Sequence, residues 1–340
     1  MSINAAIFGC SGPELTRGEA AFFRDCKPWG FILFARNIET PDQVRKLCTD
    51  LRTSVGRDAL VFIDQEGGRV RRLKPPHWRK SPFAGIFGDL YGLNRRAARR
   101  ATWLNFRLIA DELRAIGITA NCAPVLDMPV WGADPIISDR AFSPKPNIMI
   151  DIAHACMAGL SAGGIVPVIK HLPGHGRAKV DSHKALPIIK ESLAELSQTD
   201  FVPFRAFADA PMAMTAHVVL ECIDTDAPIT VSKKGMDEII RGELGFDGLV
   251  MSDDLDMKAL KGGLTQLTEQ TLRAGCDIVL QCSGNLPAMV KVANGIKSLA
   301  GKSLKRAQIA DIMSIPCDDF DAVCAFVEYE NLMALLDKPS

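Results

Sequence analysis

Eight short apolar, β-branched runs recur along the chain, each followed by a longer polar stretch or one of helical character. The runs are AAIFG (5–9), GFILFAR (30–36), LVFIDQEG (60–67), TANCAPVLD (119–127), VPVIKHLPG (166–174), MAMTAHVV (212–219), LVMSDD (249–254) and CDIVLQC (276–282). Between them lie helical stretches such as PDQVRKLCTDLRTSV (41–55) and RRAARRATWLNFRLIADELRAIG (95–117). Eight such units in a row predict an α/β chain folded as a single-domain (β/α)8 TIM-type barrel over residues 1–300. A doubly wound open sheet is the competing architecture. It normally has fewer strands, and its first turn often carries a Gly-rich phosphate loop, which is absent here. The tail, 301–340, is helical in character (AQIADIM, AVCAFVEYENLMALL) and is expected to pack on the barrel exterior, with no linker marking a second domain.

Polar residues collect at the C-terminal ends of the runs: Arg36, Asp64 and Glu66, Asp127, Lys170 and His171, His217, Asp253 and Asp254, Gln281. Barrel enzymes build their sites at that face, whereas an open sheet gathers ligands mainly at one switch point.

Bulk properties narrow the function classes. The 340 residues balance 40 basic against 40 acidic side chains, which argues against a nucleic-acid footprint. No run of about 18 apolar residues is present, so no transmembrane helix is expected. The N-terminus lacks a basic segment followed by an apolar one, so no signal peptide is expected. Ten cysteines form no CxxC pair, and several, such as Cys122 and Cys276, lie in apolar segments. Buried free thiols in a reducing cytoplasm are the plain reading. Oligomeric state is not legible.

Three stretches could carry chemistry. In VMSDDLDM (250–257), Ser252, Asp254 or Asp256 could simply cap a following helix. Side chains alternate along a strand, so Leu249, Met251 and Asp253 share one side, and Asp253 becomes the candidate nucleophile. In IDQEGGRVRR (63–72), Asp64 and Glu66 end the third strand before a Gly-Gly turn and three arginines. Arg69 could pair with Glu66 across that turn; a carboxylate backed by arginine also suits a polyol ligand. In KHLPGHGRAKVDSH (170–183), the prolines and glycines around His171 and His175 do not suit the helix of an HExxH zinc site. His175 reads as structural. Lys170 beside His171 argues against a metal, although a site drawn from other strand ends stays open. Asp181 two residues before His183 can hold the imidazole's orientation on a mobile loop and make it a proton donor. Arg95, Arg96, Arg99 and Arg100 read as a solvated helix face.

Taken in order, IDQEGGRV (63–70), DRAFS (139–143), KHLPGHG with DSH four residues later (170–183), TAHV (215–218) and GFDGLVMSDD (245–254) resemble glycoside hydrolase family 3. Within it they resemble the bacterial β-N-acetylglucosaminidases of the NagZ type, over roughly residues 1–300. The resemblance implies an exo-acting, retaining enzyme that removes terminal β-linked GlcNAc. It implies peptidoglycan recycling in the bacterial cytoplasm, with GlcNAc-β-1,4-anhydro-MurNAc, with or without its peptide, as substrate. It implies no cofactor and no metal. By motif, Asp253 is the nucleophile, His183 the acid/base and Asp181 its partner; Asp64, Arg72, Arg140, Lys170 and His171 bind the sugar. Leu172 stands where the family usually has phenylalanine, and Arg177-Ala178-Lys179 makes the loop more basic than usual, which would favour an anionic aglycone. Two other readings stay open: a metal-dependent barrel hydrolase of amides or esters, and an inactive sugar-binding relative.

Overall fold

Each of the eight apolar runs contributes one parallel strand to a closed barrel. The computed structural model describes residues 2–315 and 319–337. Its strands are β1 (Asn4–Gly9), β2 (Pro28–Leu33), β3 (Leu60–Ile63), β4 (Ala120–Asn121), β5 (Val166–Leu172), β6 (Met212–Thr215), β7 (Leu249–Asp254) and β8 (Ile278–Gln281). Every strand pairs with its neighbours in sequence, and β8 closes on β1 with Val279 opposite Ala6. β4 is short because Pro124 has no N–H to extend the ladder; pairing resumes as one bridge between Val125 and Lys170.

Both faces of a barrel sheet are covered, so the strands read as near-continuous apolar runs. Alternation then sorts them. Ile7, Leu60, Phe62, Val166, Val168, Leu249 and Met251 fill the barrel, while Phe8, Val61, Ile63, Ile169 and Val250 meet the helices. The helix Pro41–Val55 has the span its sequence suggests: Pro41 opens it, and the Thr40 hydroxyl accepts from the Gln43 N–H at 3.3 Å. The helix Arg95–Ala115 starts at an Asn94 cap and stops two residues short of the expected 117.

The tail contains the helices Gly301–Ile312 and Ala322–Met333. Residues 316–318 and 338–340 of the expected 301–340 segment lie outside the described residues, as does Cys317. Leu299, Ala307 and Ala310 join the interior cluster with Trp29, so the first tail helix covers the end of the barrel where the strands begin. The second packs on Arg95–Ala115, where Arg100 grips Glu328 through two bonds of 2.7 Å. Arg95 and Arg99 both reach Asp151, so most of this arginine face is paired rather than only solvated. The remaining nine cysteines are free thiols, and burial pushes Cys10 and Cys48 up to about 12. No helix among the described residues is long and apolar enough to cross a membrane.

The capping expectation for Ser252, Asp254 and Asp256 fails. After β7 the chain runs irregularly until a helix begins at Leu264, with Gly263 at its cap. Ser252 instead accepts from the Leu280 N–H, and Asp254 accepts from the N–H groups of Asp256 and Cys282.

Candidate active site

The C-terminal strand ends surround a cavity of about 810 Å³, its open mouth included. Asp64, Arg72, Arg140 and Lys170 line it, together with His171, His183 and Asp253. Asp181 stands behind His183 rather than in the wall. Arg36 and Gln281 are also strand-end residues but serve the scaffold. Arg36 donates to the carbonyls of Cys10 and Cys282, and Gln281 donates to Asp256.

One wall is an ionic cluster. Asp64 follows Leu60 and Phe62 in the alternation and so emerges inside the mouth. Two short antiparallel strands, Gln65–Gly67 and Val70–Arg71, then turn the chain back through Gly67 and Gly68, whose φ values of 102° and 56° suit glycine. The return brings Arg72 to 3.0 Å from Asp64. Gln65, fully buried, staples this turn by accepting from the N–H groups of Arg72 and Leu73. Lys170 sits between the two carboxylates, 2.8 Å from Asp64 and 2.7 Å from Glu66. Arg140 grips Glu66 with two bonds of 2.8 Å. Burial opposes both carboxylate charges, yet the cations outweigh it. Lys170 and Arg72 hold Asp64 well below the usual range, and Arg140 and Lys170 pull Glu66 down to about 2. Three cations against two carboxylates leave this wall one positive charge, fixed in place and rich in donors.

Arg69 does not pair with Glu66. The Gly-Gly turn sends it outward to Asp139 at 2.8 Å and to the carbonyls of Pro135 and Ile136. Arg140, remote in sequence, takes its place.

The second wall comes from β5. Its register against β6 shifts between Lys170 and Leu172, and both Lys170 and His171 reach the cavity. Behind them lies Asp127, fully buried at the end of the fourth apolar run. It accepts from the His171 ring at 2.6 Å, and from the backbone N–H groups of His171 and His175 at 3.2 and 2.7 Å. Burial opposes its charge, but the two histidines hold it low, so it stays an acceptor and His171 Nδ1 is the donor. His171 Nε2 is thereby left for a ligand. His175, read as structural from sequence, also lines the cavity; burial pushes its imidazole down to about 4, so it is neutral.

Asp253 ends the inward set of β7 and faces this cavity. Burial works against its charge, but His217, His171 and the Asp254 N–H outweigh burial and hold it below the usual carboxylate range. His217 is fully buried, which lowers its pKa. Its Nε2–H donates to the Asp254 carbonyl at 3.0 Å, and its Nδ1 faces the Thr230 hydroxyl at 2.7 Å. This buried imidazole therefore props the end of the strand that carries Asp253. Asp254 also lines the cavity, where burial lifts its carboxyl to about 6.

The third wall is the loop after β5. Asp181 Oδ1 accepts from both the backbone N–H and the ring Nδ1 of His183, at 2.9 and 2.8 Å, leaving the ring two-thirds exposed over the cavity. Arg177 does not serve this mouth. It is turned into a cage of Asp200 (2.7 Å), Glu195 (2.9 Å) and Glu191 (3.4 Å), so its charge is spent on anchoring the loop rather than on an aglycone. Among the described residues no group of three or more His, Cys, Asp or Glu side chains is arranged to hold a metal ion.

A closed parallel barrel whose mouth holds an ionic, donor-rich wall and a carboxylate beside a histidine–carboxylate pair has the make-up of a barrel glycoside hydrolase. The chain belongs to glycosyl hydrolase family 3, whose N terminal domain matches residues 17–313. It is 38% identical over 291 residues to a beta-hexosaminidase of Thioalkalivibrio sulfidiphilus, covering 83% of this chain and 82% of that one. A beta-hexosaminidase of Xylella fastidiosa is 33% identical over 334 residues, covering 97% of each chain. Among solved structures, native NagZ from Neisseria gonorrhoeae superposes with a TM-score of 0.86 at 30% identity over 98% of both chains. The same protein in complex with N-trifluoroacetyl-D-glucosamine matches at 0.86 and 30%, over 98% of this chain and 99% of that one.

Proposed function

We propose that this protein is a retaining exo-β-N-acetylglucosaminidase acting on terminal β-linked GlcNAc. Its substrate would be GlcNAc-1,4-anhydro-MurNAc, with or without peptide, in bacterial cytoplasmic peptidoglycan recycling. The observation that carries the reading is the sharing of one cavity by Asp253 and His183, with Asp181 2.8 Å behind the imidazole. Asp253 is the nucleophile. Its carboxylate oxygen attacks C1 as the C1–O bond of the aglycone breaks, and His183 gives its proton to the departing oxygen. In the second step His183 takes a proton from water, which attacks C1 and releases Asp253. Asp181 orients the imidazole and stabilises its charged form. Asp64, Arg72, Arg140, Lys170 and His171 bind the sugar, with Asp64 accepting from hydroxyl groups and the cations donating. The relatives named for hexosaminidase activity, and the neighbour seen with an N-acylated glucosamine, support GlcNAc as the sugar.

The test is hydrolysis of aryl β-GlcNAc and aryl β-glucoside by the wild type and two variants. Asp253→Ala is expected to abolish release. His183→Ala is expected to lose far more on poor leaving groups than on good ones, and EDTA to change nothing. Equal loss on all leaving groups would remove the acid role. Loss with EDTA restored by zinc would favour a metal-dependent hydrolase. Binding of GlcNAc without any turnover would mark an inactive relative.

A further inference from the structure

We propose that Ser182 positions the acid/base pair, acting as the latch that holds the 179–183 arm over the cavity. The inference rests on the reading of His183 as acid/base and assigns what places it.

The loop divides into a fixed root and a free arm. At the root, the His175 N–H donates to Asp127 at 2.7 Å, and Arg177 sits in its carboxylate cage. Gly176 lies so close to the 128 backbone that a Cβ there would be 1.8 Å from the Met128 carbonyl oxygen. The Ala178 carbonyl accepts from the Asp134 N–H at 2.8 Å. Beyond the root, Lys179 and Val180 are exposed. Among the described residues the Asp181 carboxylate bonds within the pair, to the N–H and ring of His183. Such a local unit does not fix its own place in the barrel. The residue between its two members does.

Ser182 is 4% exposed, although the His183 side chain beside it is 66% exposed. Its hydroxyl lies 3.2 Å from His175 Nε2, tying the arm back to the root. Its carbonyl accepts from the Ala259 N–H at 3.1 Å, tying the arm to the segment that follows β7 and Asp253. One residue thus joins the loop of the acid/base to the segment that follows the nucleophile's strand. His175 Nδ1 is buried without a hydrogen-bond partner among the described residues, so the Ser182 hydroxyl is the polar contact of that ring. Removing the hydroxyl leaves the imidazole without it and unties the arm from the root, while the carbonyl bond to Ala259 remains.

Three variants test this. Ser182→Ala is expected to lose about tenfold in kcat/KM on phenyl β-GlcNAc, the effect of one hydrogen bond, and less than about threefold on the dinitrophenyl glycoside. Amide exchange over 179–183 is expected to speed up by about the same tenfold, with 170–176 unchanged. Ser182→Thr, which keeps the hydroxyl, is expected to restore both. Equal losses on the two glycosides, or unchanged exchange in Ser182→Ala, would overturn the latch. His183→Ala separates the two ideas. If it shows no leaving-group dependence the acid role fails, and the exchange comparison alone decides the latch.

Discussion

The His171 ring nitrogen lies 2.6 Å from a carboxylate, Asp127, that has no contact with solvent. The same carboxylate holds the backbone N–H groups of His171 and His175, so one buried charge organises both the cavity wall at His171 and the loop root. Asp127→Ala strands three buried donors. It is expected to lower unfolding free energy by about 3–5 kcal/mol, as when one partner of a buried pair is removed. Urea denaturation measures this, and a loss below about 1 kcal/mol would contradict the arrangement.

Two arginines follow or precede short turns near Glu66, and they should behave very differently. Arg69 is 42% exposed and meets a half-exposed Asp139, whereas Arg140 is 10% exposed against a Glu66 at 5%. Arg69→Ala is expected to cost less than about 1 kcal/mol. Arg140→Ala is expected to cost about 3–5 kcal/mol, because it leaves Glu66 buried beside Lys170 alone, and also to raise KM for aryl glycosides. Denaturation and steady-state kinetics on the two variants make the comparison.

Acid sensitivity follows from the direction of the shifts. Asp64, Glu66 and Asp127 titrate below their unfolded values, so each contributes stability that is complete above about pH 4–5. That stability is lost as pH falls through the folded values, about 2 for Glu66. His175 and His217 are depressed imidazoles, so the unfolded chain takes up protons first below about pH 6.5. Their share is complete above that pH and falls with acidification, for His175 until about 4. The two imidazoles therefore pull stability down from about pH 6.5 to 4, against Asp254, whose raised carboxyl favours the folded state as pH falls through about 6. His175→Gln is expected to remove up to about 1.4 kcal/mol per pH unit of the imidazole slope. A slope identical to wild type would contradict a buried neutral His175.

Gly176 is a steric requirement. A Cβ 1.8 Å from the Met128 carbonyl cannot be accommodated without moving the loop root. Gly176→Ala is expected to reduce kcat/KM by about a hundredfold through misplacement of His183. A near-wild-type rate would show that the root does not govern the arm.

Much of this was legible in the residues. The eight apolar runs became the eight strands, alternation from Leu249 and Met251 placed Asp253 at the mouth, and Asp64 lies there as a residue at the end of the third run. What spacing along the chain does not encode is pairing across it. Glu66 finds Arg140 rather than nearby Arg69, His171 finds Asp127 across 44 positions, and Arg177 turns to Asp200 rather than to the mouth. The capping reading of Asp254 failed for a related reason. Its acceptor is used by the Cys282 N–H of the neighbouring strand end, and no helix begins until Leu264. Some of these partners are brought together by barrel closure, as Asp254 and Cys282 are at neighbouring strand ends, and others by the connecting loops, as Arg177 and Asp200 are.

The central claim is that the Asp253 carboxylate forms a bond to C1 of the sugar. Trapping with a slow-turnover fluorinated GlcNAc donor, followed by peptide mass spectrometry, tests it most directly. One glycosyl unit is expected on the peptide carrying Asp253, and none in Asp253→Ala. A label on another carboxylate, or sustained turnover by Asp253→Ala, would contradict it.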